Sequence, residues 1–116
     1  QKEPFVIPAI TKKIKSSKKM INLKNLNHFR DFLSTKNIAK IINLLRKKNC
    51  SGIYNIGSGI KFNLKDIAKL ISKKYGKIIK FSDSKKTTYL ISDNRKILSL
   101  NWKNIKYKKN LNYFYK

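Results

Sequence analysis

One guanidinium in this 116-residue chain is the best candidate for chemistry. Arg30 is one of three arginines, with Arg46 and Arg95, among 29 basic residues. A planar guanidinium beside extended backbone can take two phosphate oxygens at once, and such charge-assisted contacts are worth about 1.5–3 kcal/mol. Asp31, next to it, reads as a holder of loop backbone and not as a base. Further along, Tyr54-Asn55-Ile56-Gly57-Ser58-Gly59 is a β-branched run that stops in a glycine turn, read as a strand over Ile53 to Ile56 delivered into a tight bend where something comes close. Gly57 and Gly59 supply backbone geometry there, and Tyr54 and Asn55 read as packing residues. The single histidine, His28, reads as a surface loop residue, and Trp102 and Cys50 read as core or capping residues.

The elements that position these residues follow from periodicity. A first helix begins near Pro8, which suits a first turn, with Ile7, Ile10 and Ile14 on one face. It runs out in the lysine and serine stretch of residues 12–19, a solvated end and turn before a strand Met20 to Leu23. After Arg30, Ile38, Ile41, Ile42 and Leu45 recur at the spacing of one helix face, over a helix from about Asn37 to Asn49. Ser51-Gly52 then turns the chain into the strand Ile53 to Ile56, an antiparallel neighbour of that helix. Asn63 is the N-cap of a third helix, with Asp66 in its first turn, the stripe Leu64, Ile67, Ala68 and Ile71, and Gly76 as its stop. Lys77 to Phe81 reads as a short strand and Asp93 as the cap of a last short helix. Residues 107–115 read as a basic, aromatic tail segment with helical character. Asn101 is suited to a left-handed helix end.

The order of these motifs resembles the C-terminal, substrate-binding part of the extended short-chain dehydrogenase/reductase family, the NAD-dependent epimerase/dehydratase type. The carriers of the likeness are Arg30-Asp31-Phe32, the Tyr54 to Gly59 stretch, and Ser92-Asp93-Asn94-Arg95-Lys96 leading to Leu100-Asn101-Trp102. They stand where that family has an Arg-Asp-aromatic triplet, a Tyr-Asn-Ile-Gly-Ser-Gly stretch, and an Asp-x-x-Lys helix ending in Leu-Gly-Trp. The segment from Leu23 to Phe32 is most similar to the branch that acts on GDP-sugars, the GDP-mannose 4,6-dehydratase and GDP-sugar reductase branch, with Lys24 in place of a glycine. The likeness extends from about Phe5 to about Tyr113.

The resemblance implies a small mixed αβ substrate-binding region over residues 1–116, lacking the Rossmann domain. It implies that Arg30 grips the diphosphate of a nucleotide sugar and that Asn25 lines the nucleotide-sugar side of the cleft. The family has a second arginine before the Asp-x-x-Lys helix, whereas this region offers only Lys85 and Lys86, which supply charge without the fork. The bland alternatives are an Arg30–Asp31 or Arg30–Asp93 surface pair and a plain turn role for Asn25. Lys36-Asn37 stands where the family has paired acids. NAD(P) is expected for the full enzyme, bound by a Rossmann-domain half in cis or in trans. No glycine-rich dinucleotide fingerprint and no Tyr-x-x-x-Lys occurs in this chain, so catalytic residues are not expected in it. A first residue of Gln fits a piece of a longer polypeptide.

Composition bounds the rest. At this length, with 41% hydrophobic residues, one domain buries roughly two-thirds of its unfolded surface. One cysteine and one histidine exclude an internal disulfide and a zinc knuckle, and a reducing, cytoplasmic setting is expected. No apolar run approaches the roughly 20 residues of a membrane span. The formal charge of +24 would ordinarily suggest nucleic acid. Lys, Ile and Asn together make up about half of the chain, however, and all three have AT-rich codons, so lysine is inflated along with two uncharged residues. Lys40, Lys47, Lys48, Lys65, Lys69 and Lys73 flank the apolar stripes, as solvated lysines do. Two other readings stay open: a degenerate remnant with a structural or regulatory role, and a basic nucleic-acid-binding module.

Overall fold

The computed structural model describes residues 5–83, 86–102 and 114. Among them the chain runs α1 (Val6–Ser16), β1 (Met20–Lys24), β2 (Phe29–Arg30), α2 (Thr35–Lys47), β3 (Phe62–Asn63), α3 (Leu64–Tyr75), β4 (Ile78–Ser82), β5 (Tyr89–Leu90) and α4 (Arg95–Leu98). It divides into two compact units, each assembled from two stretches of sequence: residues 1–29 with 62–89, and residues 30–61 with 90–116.

The first unit rests on α1 and α3, each with one apolar stripe. Ile7, Ile10 and Ile14 of α1 are buried, as are Leu64, Ile67, Ala68 and Ile71 of α3. Each buried isoleucine or leucine is worth roughly 1.5–3 kcal/mol, so packing α1 on α3, and α3 on β4, is what holds this unit. Pro8 sits in the first turn of α1, where its missing N–H costs nothing. Lys12, Lys13, Lys15, Lys18 and Lys19 lie at the solvated helix end and turn that the composition of this stretch suggested, with Lys13, Lys15, Lys18 and Lys19 exposed. The Asn63 side chain accepts the backbone N–H of Lys65 at 2.9 Å as the N-cap of α3, and Gly76 ends that helix at φ 63°.

Strands β1 and β4 pair in parallel, with Met20 opposite Ile78 and Leu23 opposite Phe81. Period-2 alternation sends Leu23 to the buried side while Met20, Asn22 and Lys24 face the other way, together with Ile78, Lys80 and Ser82 of the partner strand. The Lys65 and Lys69 ammonium groups lie 5.5 and 5.8 Å from the Phe81 ring centroid. A second sheet has the order β3-β2-β5 and consists of two-residue strands.

The second unit is built on α2 and α4, with Ile41 and Ile97 fully buried. α2 starts two residues earlier than its apolar pattern suggests because Ser34 is the cap, its hydroxyl accepting the Asn37 N–H at 3.2 Å. Only Ile41 of its stripe is fully buried, and Ile42 is 54% exposed. The helix ends as expected near Asn49, which takes a left-handed φ of 50°.

The expected strand over Ile53 to Ile56, and with it the antiparallel helix–strand pair, is not formed. Ile53 is 86% exposed, and residues 53–56 are irregular backbone held by side chains. The cap position of α4 is Asn94 and not Asp93, although the Asp93 carboxylate does accept the Arg95 N–H at 3.2 Å. Asn101 takes the left-handed conformation, at φ 62°, that its place after the helix requires. The expected tail segment over residues 107–115 lies outside the described residues except for Phe114, whose ring meets Phe32 edge-on with centroids 5.7 Å apart. No helix among the described residues is long and apolar enough to cross a membrane.

Candidate functional site

In the first unit, the loops that follow the two parallel strands leave from the same end of the pair, the carboxyl end, where open α/β sheets receive ligands. The loop leaving β1 begins with Asn25 in a left-handed conformation, φ 59°, its N–H donating to the Ser82 carbonyl at 2.8 Å. Further contacts tie it to the stretch that follows β4. The Asn27 amide donates to the Thr87 hydroxyl at 2.8 Å. The Thr88 N–H donates to His28 Nδ1 at 3.2 Å, and the Thr88 hydroxyl lies 2.9 Å from the same nitrogen. Phe29 then donates its N–H to the Thr88 carbonyl at 2.9 Å, and its ring stacks on Tyr89 with centroids 4.7 Å apart and planes within 6°. Lys65 and Asp83 form an ion pair beside this stretch.

Of the residues singled out in the sequence, Asn25 and Lys86 are therefore exposed on the two loops at this end, and Lys85 lies outside the described residues. His28 is more than a loop histidine: it latches one loop to the other.

Arg30 closes β2 and is half-buried in the second unit. Asp31 follows it directly after the strand, its N–H donating to the Leu90 carbonyl at 3.2 Å. The Asp31 carboxylate holds loop backbone, as its neighbourhood in the sequence suggested. Oδ1 accepts the N–H and the hydroxyl of Ser58 at 2.9 and 2.5 Å, and Oδ2 accepts the N–H groups of Gly59 and Ser92 at 2.9 and 3.1 Å. Ser58 is 1% exposed, and its oxygen also accepts the Ile60 N–H at 3.1 Å.

The glycine turn is tight because the chain's own segment Ser92 to Asn94 comes close to it. A Cβ on Gly57 would collide with the Ser92 Cβ and lie 2.7 Å from its Oγ and 2.9 Å from Asp31 Oδ2. The buried Asn94 amide donates to the Gly57 carbonyl at 3.2 Å, and Gly59 takes φ 71° against the Asn94 side chain. Lys96 completes the set: its ammonium donates to the Ile53 carbonyl at 2.8 Å and sits 4.2 Å from the Tyr54 ring centroid. A hydrogen bond with the Cys50 thiol, followed by desolvation, holds the Tyr54 hydroxyl above its ordinary pKa. The Asp-x-x-Lys stretch is thus the clamp of the glycine turn. The contributions of Ser92, Asn94 and Lys96 were not visible in the sequence; their one signal was that spacing.

No group of three or more His, Cys, Asp or Glu that could hold a metal ion occurs among the described residues. A dinucleotide cradle requires a glycine turn joining a parallel strand to a helix N-terminus. Here the loop after β1 leads to β2 and the loop after β4 to β5.

No family model matches the chain, and no curated protein matches it in sequence. Solved structures do match. RMD from Pseudomonas aeruginosa, complexed with NADPH, superposes on 94% of this chain with a TM-score of 0.71 and 16% identity, and 40% of that chain is covered. GDP-mannoheptose C4 reductase from Campylobacter jejuni, with NADP bound, gives 90%, 0.71 and 23%, with 41% of its length covered. A GDP-6-OMe-4-keto-L-xylo-heptose reductase from C. jejuni gives 90%, 0.68 and 19%, with 44% covered. The chain thus spans less than half of the length of the proteins it matches. The described residues carry the small mixed α/β fold of part of these chains, the fold that the resemblance to the extended short-chain dehydrogenase/reductase family implies.

Proposed function

We propose that residues 1–116 act as the nucleotide-sugar-binding portion of an NAD(P)-dependent epimerase, dehydratase or reductase, with GDP-sugars the favoured substrates. The reading rests on one observation: two loops, one carrying Asn25 and the other Lys86, are latched together at the carboxyl end of a parallel strand pair. The likeness to reductases named for GDP-sugar substrates supports it. In this reading Arg30 takes diphosphate oxygens through its fork, Lys85 and Lys86 add positive charge, and Asn25 contacts the nucleotide sugar. A Rossmann-domain half, in cis or in trans in the cytoplasm, supplies NAD(P) and the groups that move protons. This chain positions substrate and performs no proton transfer itself.

Isothermal titration of the full chain with GDP-mannose and UDP-glucose, alone and with a candidate Rossmann-domain partner, tests this reading. Binding that weakens at least tenfold in Arg30→Ala and only partly recovers in Arg30→Lys is expected. Absence of binding in every pairing overturns it.

A further inference from the structure

The imidazole of His28 has one nitrogen engaged and one open. Nδ1 accepts the Thr88 N–H at 3.2 Å and lies 2.9 Å from the Thr88 hydroxyl. A ring nitrogen that accepts an amide N–H carries no proton, so the proton of the neutral ring sits on Nε2. Among the described residues no protein group pairs with Nε2. The residue is half-buried, and the protein has fixed the tautomer of this donor. Its place in the fold gives that donor a use. His28 lies on the same loop as Asn25, at the carboxyl end of the β1–β4 pair, and is bonded to the stretch that carries Lys86.

We infer that His28 contacts substrate as a neutral hydrogen-bond donor, its Nε2–H directed to a phosphate or sugar hydroxyl oxygen of the nucleotide sugar, with Thr88 as the residue that positions it. This rests on the nucleotide-sugar reading above and adds a ligand residue to it. Lysines at this end supply charge without direction, whereas an imidazole held at its second nitrogen supplies a donor of fixed orientation.

The test separates the two nitrogens. Asn carries an oxygen near the position of Nδ1, so His28→Asn keeps an acceptor for the Thr88 N–H and lacks the Nε2 donor. His28→Gln reaches the Nε2 position and leaves the Thr88 N–H without its acceptor. In titrations of the full chain with GDP-mannose, His28→Asn is expected to melt as the unsubstituted chain does and to bind about tenfold more weakly. His28→Gln is expected to melt earlier and to keep most of the affinity. Nitrogen-15 spectra of the unsubstituted chain, which do not depend on any variant folding, should show Nδ1 unprotonated and Nε2 protonated, with Nε2 shifting on addition of GDP-mannose. Undiminished binding by His28→Asn, or an Nε2 signal that saturating GDP-mannose leaves in place, overturns the inference while the nucleotide-sugar reading stands. Failure of the unsubstituted chain to bind overturns that reading, and this inference with it.

Discussion

Asp31 takes both the backbone N–H and the hydroxyl of Ser58 on a single carboxylate oxygen, at 2.9 and 2.5 Å. Its other oxygen holds the N–H groups of Gly59 and Ser92. One side chain therefore fixes the glycine turn and the approach to α4, with Arg30 as its neighbour in the chain. Replacing it strands several donors at once, and each unsatisfied group costs about 1–3 kcal/mol where it is buried. Asp31→Ala is expected to lower stability by about 3 kcal/mol in urea unfolding, and Asp31→Asn by about half as much because one oxygen remains. Unchanged stability in Asp31→Ala would show that solvent replaces the clamp at no cost.

Gly57 and Ser92 compete for one space. Gly57→Ala is expected to cost about 1–3 kcal/mol, the usual range for overpacking. Ser92→Gly alone should cost little in contacts, since the buried Ser92 hydroxyl has no hydrogen-bond partner among the described residues. Combining the two should recover part of the loss, because the colliding Cβ and Oγ are gone. A double-mutant cycle on melting temperatures reads this coupling, and strict additivity would contradict the geometry.

Gly76 faces open space, with nothing among the described residues within 4 Å of where a Cβ would stand, but has φ 63°. Backbone conformation alone then sets the penalty, and Gly76→Ala is expected to cost about 1–2 kcal/mol. Gly76→Asn should cost less, because Asn tolerates this conformation at residues 25, 49 and 101 of the same chain. Chemical denaturation of both variants checks the order.

The Arg95 guanidinium, bonded to Asp93 through Nε and a terminal nitrogen at 2.9 and 2.6 Å, holds the Asp93 carboxyl below its ordinary pKa. The folded state therefore releases this proton at lower pH than the unfolded state does. The resulting stabilisation is fully present above the ordinary carboxylate range and fades as pH falls from about 4 toward the lowered value. The pair is exposed, so the effect is small and screened by salt. Melting temperatures of Asp93→Asn should fall less steeply on acidification than those of the unsubstituted chain, with the difference shrinking at high salt.

Elements with long apolar stripes were legible in the sequence: α1, α3, β1 and β4 lie where their periodicities put them, and the caps at Asn63 and Gly76 are the residues that chemistry selects. The stretch Ile53 to Ile56 misled because β-branched residues before glycine have the composition of a strand, whereas ladder pairing depends on partners elsewhere. What holds this stretch is the Lys96 ammonium on the Ile53 carbonyl and Asn94 on Gly57, contacts between residues far apart in sequence that no local pattern announces. The two-residue strands were invisible for the same reason, being too short to show a period. Beside β2, the backbone-holding role of Asp31 was legible. The His28–Thr88 latch joins residues 60 positions apart, and only the tertiary structure displays it.

The pairing of Met20 with Ile78 bears on biosynthesis. Strand β1 leaves the ribosome long before the strand it must lie beside, and α2 and α3 are made in the interval. The turn from Gly57 to Gly59 likewise waits for Ser92 and Asn94. Both units therefore close only when the final third of the chain arrives, so a nascent chain halted before Ile78 leaves β1 and the β4-facing side of α3 without their partner, open to chaperones and proteases.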